Sequence, residues 1–358
     1  MRPAVCPAAI PILFVASCLA AQQPSPTPTT AAEAPSHDTS YIDDQGTAHV
    51  TRVVPLPLTV SPEARQFLSR PAPDQGPPES LAERRARTDA STDAARVAWS
   101  KICPSRIVED KIAGVPVRIV TPIDIAAANR DKVFINIHGG GFNSDSGSYA
   151  ESIPVATYAG VKIVSVLYRL APESPFPAGI DDVIAVYKEL LKTNTPGHIV
   201  IYGTSAGAIM TAEAAVKLKQ LGLPMPAALG IFSGMGDFAH SGDTSSFFSS
   251  RGLAGHLDPP SDPHDPYYVG SADPKDPVLS PIYSDLHGMP PTLFVSSTRD
   301  MLLSGTANLH RAFLRAGIDA RLVVFDSLPH AFWYNAQLPE SVEASHVMAD
   351  FLLKQVNR

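Results

Sequence analysis

The residues with the clearest chemical potential lie at positions 203–207, which read Gly-Thr-Ser-Ala-Gly. An apolar, β-branched run at residues 199–202 predicts a buried strand just before them, and an alanine-rich stretch at residues 208–219 predicts a helix just after. A serine in so sharp a strand-to-helix turn has its hydroxyl held in the open, and larger side chains two positions to either side would clash. The spacing predicts that Ser205 is a nucleophile. The pentapeptide is short, so a small-residue turn with an idle serine is the alternative.

A run of three glycines, residues 139–141, lies between His138 and Phe142 and follows a predicted strand at residues 132–137. Consecutive glycines let backbone N–H groups approach a ligand that side chains would block. Such groups can hold the oxyanion of an acyl-transfer reaction, at roughly 3 kcal/mol per donor. A flexible loop or a phosphate cradle is the alternative, but the lysine and Ser/Thr pair of a phosphate loop are absent here.

A nucleophilic serine needs a base, and the base needs a carboxylate that orients it. In a strand–serine–helix architecture the chain order is serine, acid, histidine. His330 fits the base, because it follows the last predicted strand and therefore lies at the same sheet edge as Ser205. Asp300, just beyond the preceding strand, is the preferred acid. Asp326, four residues before the histidine, is the alternative.

The elements that must position these groups alternate between strand and helix. Strands are predicted at residues 105–110, 115–121, 132–137, 161–168, 198–202, 227–232, 291–297 and 320–325, and helices at residues 61–68, 80–99, 176–193, 208–219, 303–316 and 341–355. Continuous apolar strands between helices indicate an α/β fold, with a mostly parallel central sheet flanked by helices. The first two strands, joined by a short link, are predicted to form an antiparallel edge.

The N-terminus carries the pattern of an export signal over residues 1–20, with an apolar run too short to span a bilayer comfortably. A small-residue cleavage site at its end predicts free export. The segment Val-Ala-Ser-Cys ending at Cys18 predicts instead a lipid anchor on that cysteine, and an uncleaved anchor is the third alternative. All three predict an exported protein, whether periplasmic, anchored to the outer membrane or secreted.

Residues 21–40 are rich in Pro, Thr and Ser and predict a disordered linker. The folded part is expected to begin near Tyr41. Residues 41–100 are interpreted as an N-terminal segment whose two helices form a small cap over the active site or have a structural role alone. Residues 101–358 are interpreted as the catalytic domain.

The composition of the chain argues against several classes of function and site. The chain of 358 residues has a net charge of −7, which gives a nucleic-acid partner no electrostatic support. Of the three cysteines, Cys6 and Cys18 lie in the signal, so no internal disulfide is expected and Cys103 is predicted to be a buried small hydrophobe. The Asp- and Pro-rich residues 258–265 predict a rigid surface loop rather than a cation site.

Taken together, these motifs resemble the hormone-sensitive-lipase family of α/β-hydrolases, in particular the bacterial carboxylesterases with a Gly-Thr-Ser-Ala-Gly elbow. The resemblance is carried by residues 138–142, 168–173, 176–178, 203–207, 299–300 and 328–332. It implies the α/β-hydrolase fold, a catalytic triad and an oxyanion hole. The implied triad is Ser205, Asp300 and His330, and the implied oxyanion donors are the N–H groups of Gly139, Gly140, Gly141 and Ala206.

One departure is that Thr204 stands where the commoner elbow has Asp. The triad is complete, which argues against the non-catalytic receptor branch of this fold.

The sequence therefore predicts an exported serine carboxylesterase that hydrolyses small esters of short to medium chain length. Phe142, Phe332 and Trp333 adjoin the glycines and the histidine, and they are predicted to narrow the substrate pocket. No cofactor, metal ion or nucleic-acid partner is expected. An amidase, formamidase or lactonase on the same triad is an alternative, as is a binding protein on an inactive hydrolase fold. A homodimer is compatible with the sequence, which does not set the oligomeric state.

Overall fold

A computed structural model describes residues 38–71, 79–254 and 267–358. The chain divides into two compact units, residues 1–55 and residues 56–358. In the first unit, strands β1 (Thr39–Ile42) and β2 (Ala48–Thr51) form an antiparallel hairpin, which begins two residues before the predicted start of folded structure. The signal over residues 1–20, both of its cysteines and nearly all of the linker lie outside the described residues.

The second unit is built on one eight-stranded sheet. Its strands are β3 (Ser105–Ile112), β4 (Val115–Pro122), β5 (Val133–Ile137), β6 (Lys162–Val166), β7 (Ile199–Thr204), β8 (Ala228–Phe232), β9 (Thr292–Arg299) and β10 (Ala320–Pro329). Their spatial order is β10-β9-β8-β7-β5-β6-β4-β3. Strand β4 runs antiparallel to both β3 and β6, and the other neighbours are parallel. The predicted mostly parallel sheet with an antiparallel edge is confirmed.

Helices cover both faces of this sheet. They are α1 (Pro62–Leu68), α2 (Leu81–Ile102), α3 (Ser152–Ala159), α4 (Ala178–Leu190), α5 (Ala206–Gln220), the single turn α6 (Thr244–Phe247), α7 (Leu303–Arg315) and α8 (Pro339–Gln355). Within the parts of the chain described, no helix is long and apolar enough to cross a membrane.

Alternation of side chains along the strands produces two hydrophobic cores. In β5, Val133, Ile135 and Ile137 pack into one core with α4, α5 and α7, whereas Phe134 packs into the other with α3 and α8. Both faces of a parallel strand are buried in this way, which is why the strands are apolar without alternation in the sequence. The carboxyl ends of β5, β7, β9 and β10 therefore lie at one edge of a rigid sheet.

The two N-terminal helices begin as their capping residues predict. The hydroxyl of Ser61 accepts from the Ala64 N–H at 3.0 Å, and Pro62 occupies the first turn of α1. Ser80 and Glu83 form a reciprocal capping box at the start of α2. A hydrogen bond from the Ser61 hydroxyl to Glu340, at 2.9 Å, attaches α1 to the start of α8.

Within the second unit, one arginine of helix α2 contacts two loops. Arg85 donates to the backbone carbonyl of Asn143 at 2.7 Å and to that of Ala171 at 3.0 Å, and it forms a two-pronged ion pair with Glu173. Near the other end of the helix, Trp99 is completely buried. The helix thus packs against the loop that follows the three glycines.

Helix α3 has no counterpart among the predicted elements. Its sequence, Ser-Ile-Pro-Val-Ala-Thr-Tyr-Ala, contains a proline and shows no polar face, because six of its eight residues are buried. Pro154 lies in the first turn, where backbone N–H groups have no partner within the helix in any case. Gly160 ends the helix in a left-handed conformation, with φ of 62°.

Candidate active site

The turn around Ser205, hereafter the elbow (residues 203–207), is held in strained geometry. Ser205 has φ of 58° and ψ of −124°, a conformation rarely adopted by a residue with a side chain. A Cβ atom on Gly203 would lie 2.3 Å from the Ile137 carbonyl oxygen, and one on Gly207 would lie 1.8 Å from the same atom. The predicted steric need for glycine at both positions is confirmed. Ser205 is also the only residue between positions 199 and 216 that is not fully buried.

The structure brings together the serine, the histidine and one of the two candidate acids. His330 follows β10 directly, and its Nε2 lies 2.9 Å from the Ser205 hydroxyl oxygen. Its Nδ1 lies 2.8 Å from Oδ1 of Asp300, which follows β9. The imidazole is nearly buried and the carboxyl is completely buried. A proton on Nδ1 would donate to the carboxylate and leave Nε2 free to accept the serine proton.

The buried carboxylate of Asp300 is supported from both sides. Its Oδ2 accepts from the hydroxyls of Ser233 and Ser296, and its Oδ1 accepts from the Leu302 N–H at 2.9 Å. Burial by itself would raise the pKa of Asp300, but His330 and these hydrogen bonds outweigh it and lower the pKa below its usual value. The group is therefore ionised at neutral pH. Neither serine is predicted by the motifs, because each lies at or near a strand end that has no signature of its own.

Asp326, the alternative acid, is directed elsewhere. Its carboxylate accepts from the hydroxyls of Thr59 and Thr298, the second at 3.0 Å. The residue is exposed on the last strand. Its hydrogen bonds attach the segment before α1 to the outer strands, which is a structural role.

Two of the three glycines have backbone N–H groups that are free to donate to a ligand. Gly140 and Gly141, in the glycine loop (residues 138–148), have φ of 127° and 59°. Among the residues that the structure describes, none accepts a hydrogen bond from the N–H of Gly140 or Gly141. The N–H of Ala206 begins helix α5, so it has no acceptor within the helix. Within the described part of the chain, these three N–H groups have no competing acceptor, and they suit an oxyanion.

The expectation for Gly139 needs correction. Its N–H donates to Oε1 of the buried Glu151 at 3.1 Å, so this donor is already used. Gly139 is required for a steric reason instead. A Cβ atom there would lie 2.7 Å from the Tyr334 hydroxyl and 2.9 Å from the Thr204 carbonyl oxygen. The glycine allows the loop to pass against the elbow.

Buried polar contacts hold the glycine loop in place. The Tyr168 hydroxyl donates to the His138 carbonyl at 2.9 Å, and the two rings stack with centroids 4.3 Å apart. Asp145 accepts from Arg118 of β4 and from the Ser148 hydroxyl. These contacts fix the loop's backbone, as a preorganised set of donors requires.

The three residues predicted to line the pocket do not share one location. Phe142 stacks on Tyr268 at a centroid distance of 3.7 Å, and Phe238 packs beside both rings. Phe332 and Trp333 belong to the core on the opposite face of the sheet, where the Trp333 indole donates to the Thr204 hydroxyl at 3.1 Å. The expectation that these two narrow the pocket is wrong. Adjacency in sequence to His330 does not predict the direction of a side chain, since the chain turns at Ala331, whose φ is 52°.

Three further predictions concern Cys103, residues 258–265 and metal binding. Cys103 is completely buried, as predicted, and is a free thiol. The loop over residues 258–265 lies outside the described residues. Within residues 38–71, 79–254 and 267–358, no group of three or more His, Cys, Asp or Glu side chains is arranged to hold a metal ion.

Comparison with known proteins shows the fold family of this chain and its similarity to esterases. A family model described as the α/β-hydrolase fold matches residues 134–334. An acetyl-hydrolase of Streptomyces hygroscopicus is 32% identical over 62% of this chain and 75% of its own length. An esterase of Acinetobacter venetianus is 28% identical over 63% of this chain and 76% of its own.

Solved structures are also similar. A crystallised esterase is 31% identical with a TM-score of 0.75, over 85% of this chain and 97% of its own. An esterase from the bacterial hormone-sensitive lipase family is 27% identical with a TM-score of 0.71, over 83% of this chain and 99% of its own.

Proposed function

This chain belongs to the α/β-hydrolase fold family, and on that premise we propose that it is a serine carboxylesterase acting on carboxylic esters of short to medium chain length. The observation that carries the proposal is the continuous chain of hydrogen bonds from Ser205 through His330 to Asp300, at 2.9 and 2.8 Å. Such a chain activates a hydroxyl that is otherwise a weak nucleophile.

Acylation begins when the Ser205 oxygen attacks the ester carbonyl carbon and its proton passes to His330 Nε2. The carbonyl oxygen becomes an oxyanion, which the N–H groups of Gly140, Gly141 and Ala206 hold. Asp300 keeps the imidazole oriented and stabilises its positive charge. Collapse of the intermediate breaks the ester C–O bond, and the proton on Nε2 passes to the departing alcohol. The acyl group remains on Ser205.

Deacylation repeats these steps with water. Nε2 takes a proton from the water as its oxygen attacks the acyl carbon, the same N–H groups hold the second oxyanion, and the proton returns to Ser205 as the acid leaves. The net reaction is ester and water to acid and alcohol. No cofactor or metal ion enters any step.

A preference for short acyl chains is supported by the surroundings of the glycine loop. Phe142, which directly follows the free donors, is fixed in a stack of buried aromatic rings with Phe238 and Tyr268. The insertion between β8 and β9 is polar and rich in proline, and α2 is dominated by Arg, Ala, Asp and Glu. The composition of neither segment suggests the broad apolar patch that a lipase needs at an oil surface.

We expect kcat/KM for p-nitrophenyl esters to peak at an acyl chain of about eight carbons or fewer. Each methylene that fits adds up to about 0.8 kcal/mol of binding, and a chain that outgrows the pocket loses rate. The measurement is a series from acetate to palmitate. A maximum at decanoate or longer, or a jump in rate on emulsified triglyceride, would make the protein a true lipase.

Export is a further part of the proposal and rests on residues 1–20 alone. The lipid-anchored form predicts a mature protein that begins with a lipid-modified Cys18, and ordinary cleavage predicts an unmodified terminus at Ala21 or Gln22. Mass spectrometry of the mature N-terminus distinguishes the two. Recovery of the protein with Met1 still present would contradict a cleaved signal.

A further inference from the structure

A buried carboxylate lies among the catalytic loops, and the mechanism above does not use it. Glu151 comes just before helix α3 and is almost completely buried. Its Oε1 accepts from the Gly139 N–H at 3.1 Å and from the Tyr334 hydroxyl at 2.5 Å, and its Oε2 accepts from the Asn136 amide at 2.6 Å. A buried carboxylate with three hydrogen-bond donors is a well-satisfied polar network, which holds the groups around it in fixed positions.

The three donors to Glu151 come from three different segments around the active site. Asn136 lies on β5, Gly139 lies in the glycine loop, and Tyr334 lies in the histidine loop (residues 330–335), four residues after His330. The amide of Asn136 is itself oriented, because its oxygen accepts from the hydroxyl of Ser165 at 2.6 Å. Its NH₂ group must then face Glu151.

The glycine loop passes very close to Glu151 and Tyr334, with glycines at the points of nearest approach. A Cβ atom at Gly147 would lie 1.9 Å from Glu151 Oε1 and 2.5 Å from the Tyr334 hydroxyl. A Cβ atom at Gly139 would lie 2.7 Å from the same hydroxyl and 3.3 Å from the Ser205 Cβ. The pair therefore touches both ends of the glycine loop, and the loop in turn touches the nucleophile. Interior atoms this close-packed transmit a shift of one group to the next.

We propose that Glu151 and Tyr334 are positioning residues that lock the glycine loop to the histidine loop, so that the free N–H groups of Gly140 and Gly141 face the oxygen of the carbonyl group that Ser205 attacks. The inference rests on the proposed esterase function. Tyr334, in the histidine loop, donates its hydroxyl hydrogen bond to Glu151. Glu151 in turn accepts from the Gly139 N–H of the glycine loop. Neither residue touches substrate; both act through the backbone of the loops that do.

The ionised form of Glu151 suits this role, since a carboxylate can accept from all three donors at once. Burial raises the pKa of Glu151 to about 7, while the hydrogen bonds from Tyr334, Asn136 and the Gly139 N–H oppose that rise. Removing the Tyr334 hydroxyl therefore both loosens the histidine loop and weakens the carboxylate's hold on Gly139.

The test compares Tyr334→Phe and Glu151→Gln with a matched control, Tyr187→Phe. Tyr187 is buried and its hydroxyl donates to the Pro224 carbonyl at 2.8 Å, so Tyr187→Phe also removes one tyrosine hydroxyl from a hydrogen bond, away from these loops. Each purified variant is assayed for kcat and KM on p-nitrophenyl acetate and for affinity to a trifluoromethyl ketone, which forms a tetrahedral adduct with an active serine.

A misplaced oxyanion donor acts on the transition state rather than on substrate binding. We therefore expect kcat to fall by about 10-fold or more for Tyr334→Phe and Glu151→Gln, with KM within about 3-fold of wild type. Affinity for the trifluoromethyl ketone should fall by the same factor as kcat/KM, and Tyr187→Phe should stay within about 2-fold of wild type in all three quantities.

A Tyr334→Phe variant that matches Tyr187→Phe in kcat, or one whose loss lies in KM alone, overturns the inference while leaving the proposed function intact. An inactive wild-type protein overturns the proposed function and the inference with it. Thermal unfolding followed by circular dichroism confirms that each variant is folded. If Glu151→Gln does not fold, Tyr334→Phe decides alone, because it keeps the Glu151 carboxylate and its hydrogen bonds from Asn136 and the Gly139 N–H.

Discussion

Replacing Ser205 by alanine is expected to lower kcat/KM on p-nitrophenyl acetate by about 10⁴-fold or more while leaving the protein folded. The hydroxyl is the attacking atom, and no other group in the hydrogen-bond chain can form the acyl-enzyme. Alanine keeps the Cβ atom that already tolerates φ of 58° at this position, so the elbow itself should persist. Steady-state kinetics and a thermal unfolding curve on the same preparation separate the two effects.

The size of the loss tests the role of the serine. Donors at the oxyanion hole and substrate binding alone leave a residual rate of about 10³–10⁴-fold over water in well-studied serine hydrolases. A Ser205→Ala variant that keeps more than a tenth of the wild-type rate would mean that another group performs the attack.

The second large effect is expected from Asp300→Asn, with a fall in kcat of about 10⁴-fold. The asparagine NH₂ group would point a donor at His330 Nδ1, which favours the tautomer that carries its proton on Nε2 and cannot accept from Ser205. The substitution also removes the negative charge that stabilises the imidazolium. It leaves the hydroxyls of Ser233 and Ser296 beside a neutral oxygen or nitrogen, so a moderate loss of stability should accompany it.

Asp326→Asn is the matched control, because it makes the same chemical change four residues before His330. Its carboxylate contacts Thr59 and Thr298 at the surface, and its loss should change kcat by less than about 2-fold. If Asp326→Asn proved the more damaging of the two, the assignment of the acid would be wrong.

The sequence predicts the parts of this site whose chemistry depends on a local pattern. Gly203, Ser205 and Gly207 are set by steric contacts within a few residues of chain, so the pentapeptide predicts the turn correctly. The order of strands predicts that residues after β9 and β10 meet the elbow, and Asp300 and His330 do lie there.

The features that the sequence could not predict are the directions of certain side chains and the contacts between residues far apart in the chain. Phe332 and Trp333 pack into the core on the opposite face of the sheet because Ala331 adopts a left-handed turn, which its residue type does not predict. The N–H of Gly139 is used by Glu151, twelve residues later, and nothing in the glycine run distinguishes it from its neighbours. Helix α3 has no polar face to reveal its period, because both sides of it are covered.

The most direct test of the central claim is labelling of the purified protein with a fluorophosphonate, followed by mass spectrometry of its peptides. The probe reacts with a serine that an adjacent base has activated. We predict a single adduct on Ser205, formed in step with the loss of esterase activity and absent from the Ser205→Ala variant. An active protein that takes up no adduct, or one whose adduct lies on a residue other than Ser205, would contradict the account.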